Sequence, residues 1–391
     1  MFSAVIISPD PVWRQIVHEV SADSKQVLTH RICDEYPHPY DLARLMNTIT
    51  PDFVFLDVSE PDKALACAAS IREIHSRTVI IGFAGGSLGS AGLDTHGIIA
   101  VLPSPLDTES FTRTVEESIH KALGGVQENL LAFLPSKAGS GCSTVVLHTA
   151  CALANSFKKK VLVVEADLRS GALSIFLNSI PEGTIQSALR STSELDVFKL
   201  DQCITKKHGI DLLLSNNAPE GTLPVWHQYF QFLEFVRFRY DWILVDLPEL
   251  VNPATAEIVR RARGVYTVCT QEIPSLKLAQ RRFQDLAVRG VPVERRHLIL
   301  NRWHKQEIAA TDVEQFLHIP IQATIPNDYK AFRAALVDGN CVPERTPAGQ
   351  AFIEFARALA DERPPDKQRS MIPDQIAGLF RRNRPILGAH G

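Results

Sequence analysis

Short apolar runs alternate with polar stretches of helical period along most of this chain. Ala4-Val5-Ile6-Ile7 stops at Ser8-Pro9-Asp10-Pro11. Phe53-Val54-Phe55-Leu56-Asp57, Thr78 to Ala84, and Ile98-Ile99-Ala100-Val101-Leu102 follow, the last ending at Pro103-Ser104-Pro105. Between them, Lys63 to His75 and Glu109 to Leu123 carry helical patterns. Runs that are apolar at every position predict strands buried on both faces, as in a parallel sheet covered by helices. Gly124-Gly125 marks a joint. The pattern then resumes at Leu130 to Leu134, Val161 to Val164, Ile210 to Leu214, Trp242 to Val245, Gly264 to Val268 and His297 to Leu300. The expectation is two doubly wound α/β domains, over residues 1–124 and 130–361, joined by a linker at 125–129. Beyond 361 the chain turns charged and Pro-rich, which reads as a linker. Within 362–391, Ile376, Leu379 and Phe380 share one helical face and Arg381, Arg382 and Arg384 follow, as in a short basic amphipathic helix.

One turn in the second half carries chemistry. Ser136-Lys137-Ala138-Gly139-Ser140-Gly141-Cys142-Ser143-Thr144 joins an apolar strand to the helix pattern Thr144 to Ala154. Small residues between a strand and a helix let successive N–H groups close around phosphate oxygens at the positive end of a helix. The usual loop ends Gly-Lys-Ser/Thr, with the lysine on the β/γ phosphates and the hydroxyl on Mg²⁺. Here Gly141 and Ser143 stand in place, and Cys142 stands where the lysine belongs. A neutral thiol cannot make the charge-assisted contact of an ammonium. ATP binding with slow or absent hydrolysis is therefore expected. A thiol at a helix start can also be a reactive thiolate; the plainer expectation is a small residue filling the lysine's space.

Other positions support the loop. Glu165 and Asp167 lie two apart at a strand end, Asp246 ends another strand, Asn301-Arg302 follows a third, and Pro326 lies after a late one. In the first half, Gly85-Gly86-Ser87-Leu88-Gly89 fits a hydrolase nucleophile pattern, but Gly89, Gly92 and Gly97 break the helix that such an elbow needs.

Composition narrows the classes without choosing among them. The chain has 391 residues and a net charge of −3, so no specific nucleic-acid partner is expected. Its seven cysteines show no paired or zinc-like spacing, which points to reduced thiols and a cytoplasmic setting. No stretch is apolar and long enough to cross a membrane.

The order of these parts resembles the ParA/MinD group of P-loop ATPases, whose deviant loop runs Lys-Gly-Gly-x-Gly-Lys-Thr-Thr. The resemblance implies that Lys137 is the signature lysine reaching the phosphates of a partner subunit, in a homodimer holding ATP and Mg²⁺. Ala138, Gly139, Ser140, Gly141, Cys142, Ser143 and Thr144 would form the rest of the loop. Ser143, Asp246 and Asp167 would hold Mg²⁺, partly through water, with Asp167 the candidate catalytic acid and Glu165 its neighbour in the first switch. Asn301, Arg302 and Pro326 would lie on the adenine side. Residues 1–124 resemble a response-regulator receiver, a flavodoxin-like fold, with Asp57 at the phosphoacceptor position. Ser8 and Pro9 replace its acid pair, Ala84 its hydroxyl residue and Ser104 its lysine, so a pseudo-receiver with a degenerate phosphosite is expected.

A pseudo-receiver before a deviant ATPase resembles the CpaE/TadZ family of tight-adherence (Flp) pilus assembly proteins. That resemblance implies a polar localisation factor recruiting the secretion ATPase and inner-membrane platform, with the tail touching the membrane or a partner protein. Two other readings stay open. One is a working ParA/MinD-type ATPase in cell-pole, division-site or DNA-partition positioning; the other is a signalling module governed by phosphorylation of Asp57.

Overall fold

A computed structural model describes residues 1–84, 97–190, 192, 195–217 and 223–361. The Gly85–Gly89 pattern and the basic tail lie outside the described residues. Two compact units divide the chain, Met1–Gly125 and a second beginning at Val126.

The first unit is a five-stranded parallel sheet. Its strands are β1 (Phe2–Ile7), β2 (Val27–Cys33), β3 (Phe53–Asp57), β4 (Val79–Phe83) and β5 (Ile98–Val101), in the order β2-β1-β3-β4-β5. The expected apolar runs form the three central strands, where β3 and β4 are buried at every residue. β2 was not expected. It is an edge strand, buried on little of its length, so its mixed residues Thr29, His30 and Arg31 carry no apolar run. Helices Pro61–Ile74 and Thr108–Leu123 match the periodic stretches, the second begun by an Asp107–Ser110 capping box.

The second unit holds eight strands: β6 (Gln127–Pro135), β7 (Val161–Glu165), β8 (Thr205–Lys207), β9 (Ile210–Leu213), β10 (Trp242–Asp246), β11 (Ala262–Cys269), β12 (Arg296–Trp303) and β13 (Ile321–Pro326). Their order is β13-β12-β11-β6-β10-β7-β9-β8. Pairing is parallel except that the edge strand β8 runs antiparallel to β9. The expected linker at 125–129 is corrected, because β6 already begins at Gln127. Gln127 and Asn129 are buried polar residues, and Asn129 Nδ2 donates to the carbonyls of Arg237 and Tyr240 at 2.8 Å each. Polar side chains satisfied in this way read as a linker in sequence and act as strand in the fold.

The core of this unit collects the inward faces of the central strands with helices Cys142–Phe157 and Pro347–Asp361. Phe133 stacks on Tyr266 at 5.2 Å between ring centroids, and Tyr266 on His297 at 4.8 Å. The Cys151 and Cys341 sulfurs lie side by side in this unit. Among the described residues no helix is long and apolar enough to cross a membrane.

The sheet order positions the site. β6 lies between β11 and β10, and β10 lies between β6 and β7. Register sets Asp246 beside Phe133 on one side and Glu165 on the other. The loop after β6 and the acids ending β10 and β7 therefore share the carboxyl edge of the sheet, where open α/β folds bind ligands.

Candidate functional site

The loop 136–141 is pinned at both ends by neighbouring strands. At its start the Ser136 hydroxyl meets the Ser275 hydroxyl at 2.9 Å, and Ser136 N–H donates to Val268 O of β11. At its end Asn301 Nδ2 of β12 donates to Ser140 O at 2.8 Å. Gly139 and Gly141 adopt φ of +80° and +86°, the left-handed region that only glycine enters without cost. A Cβ on Gly141 would lie 2.3 Å from Asn301 Nδ2. Helix Cys142–Phe157 then starts at Gly141 with no side chain capping its first N–H groups. The Ser140 hydroxyl is buried with no partner among the described residues. Uncapped amides, a helix start and an orphan hydroxyl form an anion cradle.

Asp246 faces this helix start. It is 2% exposed. Burial pushes its carboxyl up to about 7; hydrogen bonds from the Ser143 hydroxyl and the Cys142 thiol oppose that rise, and Glu165 and Asp167 reinforce it. Burial, then the Asp246 charge beside it, pushes the Cys142 thiol well above its ordinary value. A buried setting and a negative neighbour act against a thiolate here, opposite to the pull of the helix end.

The two acids near the end of β7 have different partners. Glu165 is fully buried and accepts N–H bonds from Leu173 at 2.8 Å and Ser215 at 2.7 Å. Gly171 packs against it, so that a Cβ there would fall 2.4 Å from Glu165 Cδ. β7 ends at Glu165, so strand alternation does not extend to Asp167. Asp167 closes its own turn, accepting from Ser170 N–H at 2.9 Å and Arg169 N–H at 3.2 Å. Glu165 ties loops together; Asp167 is half-buried at the loop surface.

Lys137 pairs with Glu272 of its own chain at 3.1 Å. Ala138 N–H donates to Glu249 Oε2 at 2.9 Å, and Glu249 Oε1 accepts from Arg282 Nη2 at 2.9 Å. Glu272 precedes helix Ile273–Val288, and Ser275 and Arg282 lie on it. Sequence reasoning missed Glu249, Glu272 and Arg282. Only the closeness of Glu249 to Asp246 hinted at the first, and nothing local marks the others.

Asn301, expected on the adenine side, donates its amide to the loop backbone, because β12 lies one strand beyond β11 and its end meets Ser140. Arg302 is exposed at φ +54°, and Pro326 pairs with Trp303 at the far edge of the sheet.

The strand-end group of the first unit is saturated. Asp57 is 1% exposed and accepts from the Ser8 hydroxyl at 2.6 Å and Ser59 N–H at 2.9 Å. Asp10 caps helix Pro11–Asp23 through Val12 and Trp13 N–H. Ser104 is exposed and Ala84 is buried.

No family model matches the chain. A ParA family ATPase from Chlorobium tepidum superposes with a TM-score of 0.56 at 21% identity, covering 59% of this chain and 99% of that one. The chain carries the ParA/MinD-type ATPase fold. The first unit is too short to supply the matched share, so the fold belongs to the eight-stranded unit. In sequence, the chain is 25% identical over 253 residues to a putative septum site-determining protein MinD of Emiliania huxleyi, covering 60% of this chain and 88% of that protein. It is 24% identical over 183 residues to the tyrosine-protein kinase ptk of Acinetobacter johnsonii, covering 45% of this chain. The chain spans about a quarter of that kinase's length, 24%.

Proposed function

We propose that this chain is a nucleotide-binding positioning factor whose pocket grips a magnesium-bound triphosphate and hydrolyses it slowly or not at all. The observation that carries the reading is Cys142. Its thiol lies against Asp246 inside a loop that otherwise keeps the glycines, the orphan hydroxyl and the uncapped helix start of a phosphate cradle.

The donors suit the group. Among the described residues, no three metal-ligating side chains gather as a site on their own. Magnesium bound with nucleotide needs one or two protein oxygens and takes the rest from phosphate and water. Ser143 and Asp246 are those oxygens, with Asp167 at the margin. When bound, the ion neutralises phosphate charge. The loop N–H groups hold phosphate oxygens, Gly139 and Gly141 let the backbone approach, and Asp246 must lose its proton to serve. What the chain lacks is a cation at Cys142. By analogy with removal of an oxyanion donor, that lack costs about 3 kcal/mol of transition-state stabilisation, on the order of a hundredfold in rate. The relatives support a nucleotide role: the matching protein from Chlorobium tepidum is a ParA family ATPase.

The strand order of the first unit is that of flavodoxin-like receivers, and a pseudo-receiver reading rests on it together with the saturated Asp57. A dimer bridged by Lys137, and recruitment of a pilus secretion machinery to the inner membrane or cell pole, rest on the order of the two domains and its likeness to the CpaE/TadZ family. The alternative, a working ATPase in division-site or DNA-partition positioning, draws on the similarity to MinD.

Turnover and calorimetry with MgATP test the proposal. The expected result is saturable heat with hydrolysis near background, and hydrolysis rising in Cys142→Lys. Hydrolysis at the rate of an ordinary ParA/MinD protein, abolished by Lys137→Ala, would favour the working ATPase. Absence of heat with any purine triphosphate would end the nucleotide reading.

A further inference from the structure

We infer that Glu249 is an internal competitor for the phosphate cradle, clamped on the loop by Arg282 until a more highly charged anion displaces it. This rests on the nucleotide reading above and assigns that site a regulator.

Glu249 leaves β10 three residues beyond Asp246. One carboxylate oxygen takes the Ala138 N–H and the other takes Arg282 Nη2, both at 2.9 Å. A carboxylate oxygen and a phosphate oxygen have similar size and the same taste for a backbone N–H. Glu249 therefore supplies one loop amide with an anion from within the chain. Arg282 makes the arrangement a built one. It is 9% exposed, its Nε is buried without a partner among the described residues, and it is fixed on helix Ile273–Val288. That helix also anchors the loop through Ser275 and, at its start, pairs Glu272 with Lys137. Two of the loop's binding groups, the Lys137 ammonium and the Ala138 amide, are thus answered by acids of the same chain.

The competition is one of charge. Glu249 brings a single negative charge on a side chain that is 39% exposed, whereas a triphosphate brings several. Displacement is favourable but opposed.

The test is calorimetry on the full chain with MgATP, and with inorganic triphosphate as a probe without a base, for the unaltered protein, Glu249→Ala and Glu249→Gln. Binding is expected to tighten about five- to tenfold in Glu249→Ala and by less in Glu249→Gln, whose amide oxygen still accepts a bond. The gain should shrink in high salt, where charge competition is screened. Circular dichroism melts of all three confirm that each is folded. Equal or weaker binding in both folded variants overturns the competitor role while leaving the nucleotide reading intact. No heat from any of the three overturns the nucleotide reading, and this inference with it.

Discussion

Each unit ends a central strand with a buried acid at the carboxyl edge of a parallel sheet, yet the two acids are differently placed. Asp57 accepts from Ser8 and Ser59, and the neighbouring Asp10 caps a helix. Asp246 faces a glycine-bearing loop, a hydroxyl and a thiol, with an orphan hydroxyl nearby at Ser140. The difference teaches that a strand-end acid marks a site only where adjoining donors are left unanswered. Where the fold answers them all, the same acid is structural.

Glu165 offers the largest break in that comparison. It lies beside Asp246 in register but behaves like Asp57. Glu165→Ala leaves the Leu173 and Ser215 N–H groups buried and unpaired, and should cost about 3 kcal/mol in urea unfolding. A loss below about 1 kcal/mol would show that Glu165 does not hold these loops together.

Next comes Asp246. Its folded value, about 7, lies above its ordinary 3.8. A raised carboxyl contributes stability that is complete below the unfolded value and is lost as pH rises through about 7. Asp246→Asn should therefore be more stable than the parent by up to about 4 kcal/mol at pH 8, with the advantage shrinking as pH falls and gone below about pH 4. Melting curves across this range measure it; a pH-independent difference would contradict the buried, charged account.

Asp57→Asn should lose about 1–2 kcal/mol through its bonds to Ser8 and Ser59. The parent should take up no label from acetyl phosphate, since no cation lies among the partners of Asp57 to hold a phosphoryl oxygen. Labelling at Asp57 would revive the signalling reading.

The smallest effect concerns Lys137. Its pair with Glu272 is partly exposed, and such pairs contribute about 0.5 kcal/mol or less. Lys137→Ala should leave unfolding nearly unchanged while weakening MgATP binding measured by calorimetry. A large loss of stability would make Lys137 a structural residue instead.

Much of the fold was legible because strands buried on both faces are apolar along their run; β3, β4, β7 and β10 are buried throughout, and only the acids that end β3, β7 and β10 break the apolar pattern. β2 and β8 escaped it as edge strands with water on one side, and the start of β6 escaped it because it buries Gln127 and Asn129, whose side-chain amides donate to Asn129 Oδ1 and to distant carbonyls. The loop was legible too, since the left-handed backbone at Gly139 and Gly141 demands glycine. Its surroundings were less so. Asn301 braces Ser140 and Lys137 meets Glu272 within this chain, contacts that no local pattern announces.

What the sequence alone determined is local: which runs become strands, where the chain must turn, and that Cys142 stands in place of an ammonium. What the tertiary structure decided is partnership. Strand order and register brought Asp246, Glu165, Glu249 and Asn301 to one edge from positions scattered along the chain. Periodicity reports which face is buried, because burial acts on each residue within its own element. Which donor meets which acceptor depends on groups more than a hundred residues apart, as with Ala138 and Glu249, and no local pattern encodes that meeting.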